Sequence, residues 1–151
     1  MEKYISSDKI WEINKIFKSA DDIYRKLSRS FGIPECSLWI IYFLRLGGRG
    51  ITQKELCDVM YQSKQSINSA LKKLEAEGYV TLSFKENSHK SKEIHLTEKG
   101  EKLAENTADK IIAAETAAYL EFTTEEMDAM ISLEKRYFSA ISRHSKDLIE
   151  E

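Results

Sequence analysis

"TQKELCDVMYQSKQSINSALKKLEAEGYV", residues 52–80, decides the fold. Thr52 is spaced to cap a helix whose Glu55 reaches back to the Thr52 amide, with Ile51 and Leu56 at the two ends of a hydrophobic staple. Leu56, Val59 and Met60 then form one inward stripe. A turn through Tyr61 and Gln62 leads to Ser63, which has the chemistry of a second cap. Behind it Ile67, Ala70, Leu71 and Leu74 recur at helical spacing on one face. Gly78 is the left-handed residue that ends helices. Two short helices joined by a tight turn are thus expected across these residues.

Working outward, "YVTLSF" alternates with Val80, Leu82 and Phe84 in phase, and "EIHL" alternates with Ile94 and Leu96 in phase. The polar stretch "KENSHKSK" joins the two as the tip of a hairpin. Upstream, residues from Asp8 to about Ser30 carry Ile13, Ile16, Phe17, Ile23, Tyr24 and Leu27 at helical spacing. Pro34 and Gly47-Gly48 bracket an apolar helix containing "CSLWIIYFLRL". Downstream, Leu103, Thr107, Ile111, Ala114 and Ala118 continue a helical pattern from Thr97. "FTTEEM" repeats the capping pattern, with Thr123 answered by Glu126 and Phe122 stapled to Met127. The expected fold is mainly α with a small β-hairpin wing: a winged helix-turn-helix flanked by long N- and C-terminal helices. All 151 residues are read as one domain, with the winged lobe at 34–97.

Composition agrees with a soluble globular chain: 42% hydrophobic, 32% charged, a single proline, net charge −2. "MEKYISSDKIWEINKIF" has no apolar core with a small-residue cleavage site. The run from Cys36 to Leu46 is too short to cross a bilayer. No membrane association and a cytoplasmic location are expected. Cys36 and Cys57 make no disulfide framework. His89, His95 and His144 lack paired-ligand spacing with each other or with the cysteines, so neither metal nor cofactor is expected. Nucleophile–base pairs and phosphate-cradling glycine loops are missing from the sequence, which argues against an enzyme.

Charge is unevenly spread. Residues 63–73 carry three serines, Gln65, Asn68 and the lysines 64, 72 and 73 without one acid. Seven lysines face five acids over residues 52–92, so this region is about +2 and the remainder about −4. Glutamine and asparagine pair bidentately with adenine edges, lysine reaches guanine acceptors, and serine serves bases or phosphates. With the apolar face packed inward, the second helix is expected to face double-stranded DNA.

The order of elements, and in particular "LKKLEAEGYV" and "HLTEKG", resembles the MarR family of bacterial transcriptional regulators over essentially the whole chain. That resemblance implies a homodimer formed by helices at 8–31 and 98–149, whose two winged lobes read a pseudo-palindromic operator. By position it places Ser63, Lys64, Gln65, Ser66, Asn68, Ser69, Lys72 and Lys73 on the recognition helix and Gln53 at a phosphate. His89, Lys90 and Lys92 fall on the wing. The chain departs from the family at the wing tip, where Ser88 and Lys90 replace an Asp and an Arg, and lysine lacks the planar arginine fork. The family also implies a repressor responsive to a small aromatic or lipophilic effector, for which Trp11, Tyr24, Trp39, Tyr42 and Phe43 are the candidate lining. Redox response would fall to Cys36 and Cys57. The alternative is a winged-helix protein–protein adaptor that never reads bases.

Overall fold

The computed structural model describes residues 7–48, 50–84 and 91–149. Helix α1 spans Ser7–Phe31 and α2 Glu35–Gly47. The two-residue strand β1 (Ile51–Thr52) precedes α3 (Gln53–Met60) and α4 (Lys64–Ala76). Strands β2 (Val80–Phe84) and β3 (Lys92–Leu96) follow, then α5 (Glu98–Asn106), α6 (Ala108–Tyr119), α7 (Thr124–His144) and α8 (Lys146–Ile149). The chain divides into two compact units, residues 1–111 and 112–151, with the boundary inside α6.

In the first unit the core is built on α2, whose Leu38, Ile40, Ile41 and Leu44 are buried, and on Leu56, Ile67, Leu71, Leu74, Val80 and Ile94. Residues three and four apart on α4 thus share a face with the middle of the sheet, as the 3.6-residue period requires. Helix α4 packs on α2, α3 and β2. Full burial of side chains this large contributes roughly 1.5–3 kcal/mol each, so the position of α4 is fixed by the core.

The helix starts follow their side chains. Thr52 and Glu55 form a complete capping box, the Thr52 amide donating to Glu55 Oε2 at 2.8 Å and the Glu55 amide to Thr52 Oγ1 at 3.2 Å. Ser63 Oγ accepts from the Ser66 amide at 3.1 Å. Helix α4 ends through Gly78, at φ 77°, with the Tyr79 amide donating to the Leu74 carbonyl at 2.8 Å.

The expected hairpin forms, with Val80 opposite Leu96 and Leu82 opposite Ile94. Beyond the hairpin, β1 adds a third strand through Ile51 opposite Ile94, giving the antiparallel order β1-β3-β2. On β2 the apolar side is buried at Val80 and exposed by Phe84, because only the base of the wing lies over the core.

The "HLTEKG" segment joins sheet and helix. Thr97 caps α5 by accepting from the Gly100 amide, and its hydroxyl donates to the Gly78 carbonyl at 2.6 Å. A methyl group at Gly100 would overlap the Tyr79 carbonyl oxygen, so this approach requires glycine. Lys99 donates to the Glu77 carbonyl at 2.7 Å and lies over the Tyr79 ring. The C-terminal end of α4 is therefore tied to the start of α5.

Three local expectations are corrected. Val59 is exposed rather than part of the inward stripe, since Leu56 alone of that set is buried in α3. The helical pattern from Thr97 breaks at Thr107, whose hydroxyl donates to the Leu103 carbonyl at 2.6 Å and competes with the backbone ladder. Ala70 is half-buried at the margin of the α4 core face.

The second unit comprises the rest of α6 with α7 and α8. Thr123 and Glu126 form the second capping box, again with both hydrogen bonds present. No residue of α7 is buried, although Met130, Ile131, Leu133 and Ile141 are apolar. Among the described residues no helix is long and apolar enough to cross a membrane.

Candidate nucleic-acid interface

At about 100° per residue, the face of α4 opposite Ile67, Leu71 and Leu74 is centred on Gln65, Ser69 and Lys72. All three side chains are exposed. Lys64 and Asn68 lie on one flank, Ser66 and Lys73 on the other. Asn68 is half-buried, so its carboxamide stands at the edge of the face. Lys73 lines a hollow with Phe31, Pro34 and Leu103, away from the wing.

The Lys64 flank opens into a cleft of about 600 Å³ between α3, the start of α4 and the sheet. Gln53, Lys54, Lys64 and Lys92 line it with Cys57, Leu82, Phe84 and Ile94, and none of its lining residues is acidic. Lys92 lies 5.4 Å from the centre of the Phe84 ring, a cation–π placement at the loop end of the hairpin strands. This lysine-rimmed cleft links the α4 face to the hairpin on one side of the lobe.

Three of the polar side chains are already engaged. Gln53 Nε2 donates to the Lys64 carbonyl at 3.3 Å, joining the start of α3 to the start of α4. The Ser63 and Ser66 hydroxyls lie 2.9 Å apart, in addition to the cap. These residues hold the N-terminal end of α4, leaving Lys64, Gln65, Ser69 and Lys72 as its outward donors. His89 and Lys90 lie outside the described residues.

Tyr24, Trp39, Tyr42 and Phe43 come together. Ring centres lie 4.8 Å apart for Tyr24–Trp39, 5.2 Å for Trp39–Tyr42 and 5.3 Å for Tyr42–Phe43. Tyr42 is buried as core, whereas Trp39 and Phe43 also line a cleft of about 480 Å³ with Glu35, Cys36, Val59, Met60 and Gln62. Trp11 does not join them and is 72% exposed on α1. Cys36 is half-buried, and burial pushes its thiol above the ordinary cysteine range, which disfavours the reactive thiolate. Cys57 lies in the lysine-rimmed cleft instead.

A charged cluster that sequence reading missed braces the first unit. Arg45 of α2 donates from Nε and Nη2 to the two carboxylate oxygens of Asp109 at 2.7 and 2.8 Å, and Nη1 bonds Glu101. The guanidinium holds the Asp109 carboxyl below its usual range, while the carboxylates raise that of Arg45. Sequence separations of 56 and 64 residues left no local signal. Among the described residues no group of His, Cys, Asp and Glu is arranged to hold a metal ion.

Comparison with known proteins agrees with this geometry. The MarR family model matches residues 31–90, which include the helix-turn-helix and the first strand of the hairpin. A MarR transcription regulator from Oenococcus oeni shares the fold at TM-score 0.70 and 15% identity, over 84% of this chain and 98% of that one. A MarR transcriptional regulator from Methanosarcina mazei is 25% identical at TM-score 0.60, over 89% and 98% of the two chains. A Listeria monocytogenes protein assigned to the MarR family, solved with 26mer DNA, gives TM-score 0.66 and 21% identity over 94% and 95%. No curated protein sequence matches the chain. The family match over residues 31–90, joined to the fold shared along both flanking regions, makes this chain similar to the MarR family of winged-helix transcriptional regulators.

Proposed function

We propose that the chain is a sequence-specific DNA-binding regulator that acts as a homodimer on a pseudo-palindromic operator, most simply as a repressor. The observation that carries this reading is the outward face of α4. Gln65, Ser69 and Lys72 are exposed there, and the adjoining cleft is rimmed by Lys54, Lys64 and Lys92 without a carboxylate. Such a helix enters the major groove, where the glutamine carboxamide reads adenine and lysine reads guanine or meets phosphate. In this reading residues 34–97 are the DNA-binding lobe.

Dimerisation is supported by α1 and the second unit, which leave Ile10, Trp11, Ile16, Met130, Leu133 and Ile141 exposed. Apolar side chains at helical spacing are stabilised by a partner helix, and the helices at 8–31 and 98–149 of a second copy would supply it. A two-fold pair would set its two recognition helices about one DNA turn, or a multiple of it, apart.

Effector response is assigned to the cleft at Trp39 and Phe43. It reaches Val59, Met60 and Gln62 at the end of α3, so an aromatic or lipophilic molecule lodged there bears on the turn into α4. A preference of about 1–3 kcal/mol for one lobe arrangement is typical of such coupling. Selection from a random DNA pool at near-physiological salt tests the reading. Enrichment of a two-fold symmetric motif is the expected result. Binding that enriches nothing and vanishes as salt rises would leave backbone electrostatics alone and favour the adaptor.

A further inference from the structure

Tyr61 contributes little that the fold requires. As the C-cap of α3 it holds φ 49° and ψ 37°, and it is the one non-glycine residue with positive φ among the described residues. Bulky side chains are strained in this region, which glycine and asparagine occupy far more readily. Burial does not compensate, because Tyr61 is 95% exposed. Among the described residues none hydrogen-bonds its hydroxyl or stacks on its ring. A large residue held in a strained conformation with no packing return points to a task outside folding.

Its surroundings indicate the task. Tyr61 lies in the turn between α3 and α4, two residues before the Ser63 cap. From Val59 to Leu74 the sequence contains no carboxylate. The N-terminal end of the second helix of such a unit meets DNA, and the chain just before it passes the sugar–phosphate backbone. Tyrosine offers an apolar ring for the sugar and a hydroxyl donor for the phosphate.

We propose that Tyr61 is a DNA-backbone contact, its hydroxyl donating to a phosphate oxygen beside the half-site, and that the left-handed turn is what carries the ring out to the strand. This rests on the DNA-binding reading of α4 and adds a contact that charge does not reveal. A neutral phenol displaces no counterion, so its loss weakens binding equally at every salt concentration, unlike the loss of a lysine. A phosphate also carries no base identity, so the loss is the same on all sequences.

The test compares the full chain with Tyr61→Phe and Tyr61→Gly, by thermal melting and by anisotropy titration at several salt concentrations. The duplexes are the selected motif and an unrelated sequence. Tyr61→Phe is expected to melt with the wild type, to bind both duplexes roughly five- to thirtyfold more weakly as two hydroxyls are lost per dimer, and to keep the wild-type salt slope. Tyr61→Gly is expected to melt no lower than the wild type and to bind at least as weakly as Tyr61→Phe. Wild-type affinity in Tyr61→Phe overturns the proposal and leaves the DNA reading intact. So does a Tyr61→Gly protein that melts well below the wild type, which would show that Tyr61 serves the fold. Wild-type protein that binds neither duplex overturns both readings.

Discussion

Lys64→Gln separates phosphate contact from fold and counts protomers at once. Lys64 is the first residue of α4, exposed, and its side chain rims the cleft leading to the wing. A cation at the positive end of a helix gains nothing from the macrodipole. The link to Gln53 runs through the Lys64 backbone carbonyl, which the substitution keeps. Stability should therefore hold or rise slightly. Each phosphate neutralised contributes about −0.9 to the slope of log affinity against log salt. Lys54, Lys64, Lys72 and Lys92, doubled by a two-fold axis, give about −7 if every one meets a phosphate. Removing Lys64 from both protomers should make the slope shallower by about 1.8, so that a rise from 50 to 200 mM salt costs the variant about twelvefold less affinity than it costs the wild type. Anisotropy titrations across that range on one selected duplex measure it. An unchanged slope would refute the placement of Lys64 on the backbone. A change near 0.9 would refute the two-fold complex, since a single lysine would then be engaged.

The Arg45–Asp109 pair gives a pH prediction. The Asp109 carboxyl is depressed by the guanidinium beside it, so the stability it contributes is full above the unfolded value of about 3.9 and is lost as pH falls through the lower folded value. Asp109→Asn should cost about 1 kcal/mol near neutrality for a partly exposed pair, and its melting deficit should close in acid; a deficit that widens below pH 4 contradicts the pairing. Thr123→Ala removes one side of the second capping box and should cost about 1 kcal/mol, read as a melting drop of roughly 2–4 °C; an unchanged melt would show that the box adds nothing. Burial raises the Cys36 thiol, so its alkylation at pH 7 should be slower than that of a free cysteine and should accelerate at higher pH than usual. Rapid labelling at neutrality would reverse that assignment.

What could be read from sequence was local chemistry. Both capping boxes are legible because Thr and Glu three residues apart satisfy each other within one turn. The inward face of each hairpin strand follows from the alternation of Val80 with Leu82 and of Ile94 with Leu96, since a one-residue slip of either strand would turn its own pair outward. The centre of the α4 face follows from the period of Ile67, Leu71 and Leu74. Features made by distant partners were not legible. Strand β1 exists because Ile51 pairs with Ile94, and two residues carry no periodicity of their own. Arg45 finds its carboxylates on α5 and α6. Tyr61 shows a second limit, for a tyrosine in a turn carries no sign of a left-handed backbone. Likewise, nothing in a list of polar residues separates Gln53, whose carboxamide is tied to the Lys64 carbonyl, from Gln65, which faces outward.

The central claim is that the face centred on Gln65, Ser69 and Lys72 reads base edges. The measurement that tests it most directly is the random-pool selection carried out in parallel on the wild type and Gln65→Ala. The expected result is a two-fold symmetric motif from the wild type and, from the variant, the same symmetry with information lost at one position in each half-site, where about 1–3 kcal/mol of discrimination disappears. Identical motifs from the two proteins would contradict it, placing Gln65 outside the groove.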